Sequence, residues 1–173
     1  MEIFFELLKY TIPSVVVFAT AYFLLKMLLD ERQRIDRAIQ QREAMKITLP
    51  LRLQAYERMM LVCDRAAIDH TLLRIRVPGM TVRELRGALM LAVSQEFDHN
   101  TSQQLYVSET LWQIISLAKN DTLALVSSTA PALAPDADDG QLVTALFQVL
   151  DQLDATPLQK AAIAVRTEAS QLF

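Results

Sequence analysis

Residues 11–29 read TIPSVVVFATAYFLLKMLL, nineteen positions whose single charge, Lys26, lies near one end. At 1.5 Å of rise per residue a helix of that length covers about 28 Å, close to the roughly 30 Å hydrocarbon core of a bilayer. The stretch therefore predicts a transmembrane helix. Lys26 sits within a turn of the end, from where its ammonium can snorkel to the headgroups. A cleaved secretory leader is the competing reading, because Ala19, Thr20 and Ala21 resemble a small-residue cleavage site. Against it, Glu2 and Glu6 stand where a leader needs basic residues, and the apolar run continues past Ala21 to Leu29.

Cationic residues orient the span. Arg32, Arg34, Arg37, Arg42 and Lys46 follow it, whereas only Lys9 precedes it, so the positive-inside rule puts the N-terminus outside and the C-terminal domain in the cytoplasm. Residues 1–10, MEIFFELLKY, form a short N-terminal segment with Glu2, Glu6 and Lys9 on one helical face. It reads equally as an interfacial helix or as an extension of the span, with Pro13 in the first turn of the spanning helix. Residues 30–48 contain no Gly or Pro and predict a membrane-proximal helical stalk. Ile35 and Ile39 give it only a thin seam, and the span has no GxxxG repeat, so a homo-oligomer stays open.

Composition assigns the rest of the chain to helix. Of 173 residues, 52% are hydrophobic and only 3 are glycine, too few for a turn-rich β-sandwich or barrel. The expected class is all-α: an N-terminal transmembrane helix followed by a cytoplasmic helical bundle over residues 49–173. Cys63 is the single cysteine, so no intramolecular disulfide can form.

Within the bundle, Leu49, Leu53, Tyr56, Met60, Cys63 and Ala67 recur at helical spacing, with Pro50 in the expected first turn. Thr71–Met80 alternates Leu73, Ile75 and Val77 with Arg74 and Arg76 and predicts an extended connector, closed by a turn at Pro78 and Gly79. Thr81 with Glu84 is a capping box opening the next helix, whose stripe is Val82, Leu85, Leu89, Ala92 and Val93. Ser108 caps another, with Leu111, Ile114, Ile115, Ala118, Thr122 and Leu125 on one face. Residues 128–140, rich in Ala, Pro and Asp, predict a mobile loop. Leu142, Leu146, Leu150 and Leu153 mark a fifth element. Thr156 and Pro157 open the last, carried by Leu158, Ala162, Val165, Ala169 and Leu172. The expected layout is five amphipathic helices.

Charge is sorted along the chain. Residues 31–86 hold 12 Lys and Arg against 7 Asp and Glu, residues 87–173 hold 3 against 10, and the whole chain carries −3. A basic half attracts an anionic leaflet by about 1 kcal/mol for each charge near the surface. Lys26, Arg32, Arg34, Arg37, Arg42 and Lys46 are thus candidate membrane-surface residues. Nucleic acid is not an expected partner, because no sustained basic stretch is interleaved with aromatics.

Chemistry-bearing motifs are scarce. Cys63, His70 and His99 lack CxxC, HxxxH or ExxH spacing, so no metal is expected, and Cys63 lies on an apolar stripe where it packs as a small hydrophobe. Gly79, Gly87 and Gly140 are isolated, which leaves no phosphate-cradling glycine loop and no nucleotide cofactor. No catalytic residues are assigned. Two polar clusters are candidate binding residues: Arg52, Tyr56 and Arg58 in ITLPLRLQAYERM, and Glu96, His99, Asn100 and Gln103 in EFDHNTSQQLY. Were the second cluster packed in the bundle, Arg52 or Arg58 would be its expected partners.

The stretches KITLPLRLQAYERM and EFDHNTSQQLYVS, with the N-terminal KYTIPSVVVF, resemble an uncharacterised family of short bacterial single-pass membrane proteins with a cytoplasmic helical domain. The likeness extends to about Ala130. It implies a bacterial inner-membrane location and adds no mechanism. The leading expectation is a non-enzymatic, membrane-anchored interaction module, an adaptor or accessory subunit of a bacterial envelope complex. Its expected partners are the lipid bilayer and another membrane or cytoplasmic protein. Two alternatives stay open: a lipid-binding or sensing module at the membrane surface, and an enzyme with a polar site around Glu96 and His99.

Overall fold

A computed structural model describes the backbone of residues 2–172 and the side chains of residues 14–130 and 132–172. Six α-helices lie among them: α1 (Glu2–Arg65), α2 (Ile68–Ile75), α3 (Val82–His99), α4 (Glu109–Thr129), α5 (Asp139–Asp151) and α6 (Pro157–Ser170). Short 3-10 turns occupy Thr101–Leu105 and Ala130–Ala132. The protein is all-α, and its only described strand-like pairing is an isolated bridge between Thr81 and Asp138.

The chain divides into two units, residues 1–48 and residues 49–173. In the first unit, α1 exposes apolar side chains on every side: Val15, Val16, Val17, Phe18, Tyr22, Phe23, Leu24, Leu25, Met27, Leu28 and Leu29 are all open, Phe18 at 75%. Among the described residues no helix is long and apolar enough to cross a membrane. The side chains of Thr11, Ile12 and Pro13, the first three residues of the expected span, lie outside the described residues, as do those of the segment 1–10. After Leu29, the Ile35 and Ile39 seam is exposed on an otherwise polar helix.

Pro50 does not begin a helix. α1 runs through it, and since proline has no amide hydrogen, the Lys46 carbonyl loses its helical donor. Such an interior proline costs about 3 kcal/mol, less where water reaches the orphaned carbonyl, and position 50 is exposed.

The second unit is built on two adjoining cores. Tyr56, Met59, Val62, Cys63 and Ala66 of α1 pack with Val93 and Phe97 of α3, Leu111, Ile115 and Ala118 of α4, and Leu158, Ala161 and Val165 of α6. Ile68 and Leu72 of α2 join Val82, Leu85 and Leu89 of α3, Val126 of α4, and Leu142 and Leu146 of α5 in the other. α3 and α4 supply residues to both. Each fully buried Leu, Ile or Met removed from water contributes about 1.5–3 kcal/mol.

The α1 stripe is centred differently from the expected one. Ala55, Met59, Val62 and Ala66 are the buried centre, while Leu53, Met60 and Ala67 lie at its margin. Both sets have helical spacing, and Ala55 and Ala66 are fully buried at that centre.

Thr71–Met80 is not an extended connector. Its first half completes α2, because the alternating pattern hides a helical one: Ile68, Thr71 and Leu72 face inward. The Thr71 hydroxyl and the Arg74 guanidinium both donate to the Arg65 carbonyl, which α1 leaves unbonded at its end. Leu73 is the exposed remainder of the alternation, at 85%. Pro78 and Gly79 do form the expected turn, with Gly79 at φ +86°, where a side chain would be strained. The bundle accordingly has one more helix than the five expected.

Caps behave as the sequence implies. Thr81 accepts from the Glu84 amide while Glu84 accepts from the Thr81 amide at 2.9 Å. Thr156 and Gln159 repeat this box at α6, and Ser108 caps α4. In the 128–140 region, the Pro135 and Ala137 carbonyls accept from the Arg83 and Val82 amides, both at 3.0 Å, and the Met80 carbonyl accepts from the Asp139 amide at 3.2 Å. Those bonds tie the segment to the start of α3. Asp139, buried, is clasped by Arg76 through Nε at 2.5 Å and Nη2 at 3.2 Å.

Candidate functional site

Arg52 and Tyr56 occupy successive turns of α1 and act together. The Arg52 guanidinium donates to the Tyr56 hydroxyl at 2.9 Å and to the Tyr106 carbonyl at 3.3 Å. Tyr56, itself buried, donates to Glu168 Oε1 at 2.9 Å. Glu168 also accepts from the Ser108 amide at 2.8 Å and from the Ser108 hydroxyl. Burial alone would raise the Glu168 pKa, but the donors from Ser108 and Tyr56 and the charge of Arg52 hold it below the ordinary glutamate value. Tyr56 moves the other way: burial, then its bond to the Glu168 carboxylate, raises its pKa, against a lowering pull from Arg52. This network joins α1, α6 and the start of α4 as architecture.

Glu96 is not served by Arg52 or Arg58. Its carboxylate receives Arg65 and Arg74, both at 2.9 Å, from the end of α1 and from α2. Burial pushes its pKa up, and hydrogen bonds from those two arginines outweigh that and hold it low. Asn100 ends α3, so the helical register that would align Glu96, Asn100 and Gln103 stops there. Asn100 donates to the Glu96 backbone carbonyl at 2.8 Å.

Four of the expected binding residues do converge. Arg58, His99, Asn100 and Gln103 line one open groove of about 490 Å³ with Gln54 and Ser102, between α1 and the 3-10 turn after α3. His99 donates from Nδ1 to the Gln95 carbonyl at 2.7 Å. A carbonyl only accepts, so Nδ1 is the donor in that bond. Leu51, Leu105 and Tyr106 complete the lining, and Leu105 is 79% exposed. None of these groove residues is acidic.

A separate cavity of about 470 Å³ escaped sequence reasoning. Cys63, Asp64, His70, Phe147, Asp151 and Arg166 are among its walls, drawn from α1, α2, α5 and α6. No periodicity or motif connects residues a hundred positions apart. Burial pushes the Cys63 thiol up to about 11, so it packs as a thiol and not as a thiolate. Among the described residues no three His, Cys, Asp or Glu side chains are grouped to hold a metal. Sequence reasoning also missed Glu168 as the partner of Tyr56; no local pattern signals a pairing over that distance.

The candidate membrane-surface residues Lys26, Arg32, Arg34, Arg37, Arg42 and Lys46 are all exposed on α1. Among the described residues, the ion pairs involve other cations: Arg65, Arg74, Arg76, Arg83 and Lys119.

No curated protein and no solved structure matches the chain. Residues 2–172 match one protein family, beyond the extent to about Ala130 that the resemblance covered. With nearly its whole length matched, the chain belongs to the family of unknown function DUF7935.

Proposed function

We propose that this protein is a membrane-tethered, non-enzymatic interaction module, an adaptor or accessory subunit of a bacterial envelope complex. One observation supports the reading: from Val15 to Leu29 the first helix is apolar around its circumference apart from Lys26, and its large apolar side chains are exposed. A helix greasy on all sides is at rest only within a protein core or in lipid. Counted with Thr11, Ile12 and Pro13, the run is as long as a hydrocarbon core is thick. The positive-inside rule then puts residues 30–173 in the cytoplasm at the inner membrane.

The interaction role is motivated by an anchoring segment joined to a helical bundle whose sequence carries no catalytic motif. Crosslinking in the native membrane followed by co-purification in detergent tests it. A reproducible partner protein is the expected result, and recovery only as a lone monomer contradicts it.

A second reading, lipid sensing, draws on six cations of α1 that project into solvent outside the described ion pairs. Binding to anionic vesicles that weakens with salt, and that is lost when Arg32, Arg34, Arg37, Arg42 and Lys46 become Gln, separates it from the first.

A further inference from the structure

We propose that the groove between α1 and the turn after α3 binds an anionic phosphate ester that carries an apolar portion. This goes beyond the membrane-tether reading and does not require it. Of the nine residues that line the groove none is acidic, while Arg58 and His99 are basic. Asn100, Gln103, Gln54 and Ser102 add amide and hydroxyl groups around the same space. Arg58 is solvent-exposed and forms none of the described ion pairs, so its planar fork is available to a ligand.

The sign of the ligand follows from that lining. An anion meets one fixed positive charge and several neutral donors without a carboxylate to repel it, whereas a cation meets no compensating charge. Polar residues flank the groove from two sides, which favours a phosphate over a planar carboxylate. Donors come from α1 on one side and from the end of α3 and the 3-10 turn on the other, which suits a tetrahedral group with terminal oxygens pointing several ways.

Apolar rim residues supply the second half of the ligand description. Leu105, Leu51 and Tyr106 expose apolar surface beside the polar floor. The volume of about 490 Å³ falls within the range of small-molecule sites. Two sources carry this chemistry, a phospholipid headgroup and a free phosphorylated molecule.

Titration calorimetry on the full chain in maltoside detergent distinguishes them, with dihexanoylphosphatidylglycerol, hexyl phosphate and uncharged glycerol as probes. The expected result is binding of at least one phosphate probe and none of glycerol. Arg58→Gln should weaken that binding about tenfold or more, and Arg58→Lys should restore part of it. Arg166→Gln, at the other cavity, should leave it unchanged. Tighter binding of the lipid assigns the site to a headgroup; tighter binding of hexyl phosphate assigns it to a free ester. Should Arg58→Gln misfold by circular dichroism, Arg58→Met takes its place with the same expected direction. Absence of binding by both phosphate probes, or binding that the folded variant leaves intact, overturns the proposal.

Discussion

The Tyr56 hydroxyl donates to the Glu168 carboxylate at 2.9 Å, a pairing of α1 with α6 across 112 positions of sequence. Tyr56→Phe keeps the ring in the core and deletes the donor to Glu168 and the acceptor for Arg52. The expected loss is about 1–3 kcal/mol of unfolding free energy in denaturant titration of the full chain. A double-mutant cycle with Glu168→Gln should show non-additivity, since both substitutions break one network. Strict additivity would mean that the bond contributes nothing.

Acid should loosen the bundle. Glu96 and Glu168 both have folded-state pKa values below the ordinary 4.5. A depressed carboxylate contributes stability that is complete above its unfolded value and is lost as pH falls through the folded one. Melting temperature should therefore hold above the ordinary glutamate range and drop below it. In Glu96→Gln that drop should be shallower, from a lower starting stability. An unchanged acid slope would show that the arginine pair leaves the proton equilibrium alone.

Core truncation should distinguish buried from exposed leucines on one helix. Leu89 is fully buried on α3, whereas Leu91 on the same helix is exposed. Leu89→Ala should cost about 2–5 kcal/mol, and Leu91→Ala should stay within about 0.5 kcal/mol of the parent. Equal effects would contradict the orientation of α3.

Asp139→Asn removes the charge that Arg76 clasps and should lower the melting temperature. Stability lost at neutral pH should be regained in part by Arg76→Gln in the same chain, because an unpaired guanidinium is then absent. Arg76→Gln that worsens Asp139→Asn would contradict the pairing.

Capping chemistry and composition were the most legible parts of the chain. Thr81 with Glu84, Ser108, and Thr156 with Pro157 start helices where they stand, because a cap depends on residues within three positions. Few glycines and many good helix formers made the class plain. What failed was competition between periods. Leu73, Ile75 and Val77 alternate as a strand would, yet Ile68, Thr71 and Leu72 have a partner core, and burial there prevailed over local pattern. Pro50 misled for a different reason: its exposed position lets the helix continue through a residue that usually opens one.

The candidate site was legible by half. Arg58 from one polar cluster and His99, Asn100 and Gln103 from the other meet at one groove. Glu96 was grouped with them by spacing but faces Arg65 and Arg74, since α3 ends at Asn100 and the side chains beyond take a new direction. Partner assignments across the fold, such as Tyr56 to Glu168, depend on how helices pack and leave no trace in a local window.

Alkaline carbonate extraction of membranes from cells expressing the full chain tests the central claim most directly. The protein is expected to stay in the pellet until detergent is added, and Val16→Asp with Leu24→Asp to release it. Recovery of the intact, unsubstituted chain in the carbonate supernatant without detergent would contradict it.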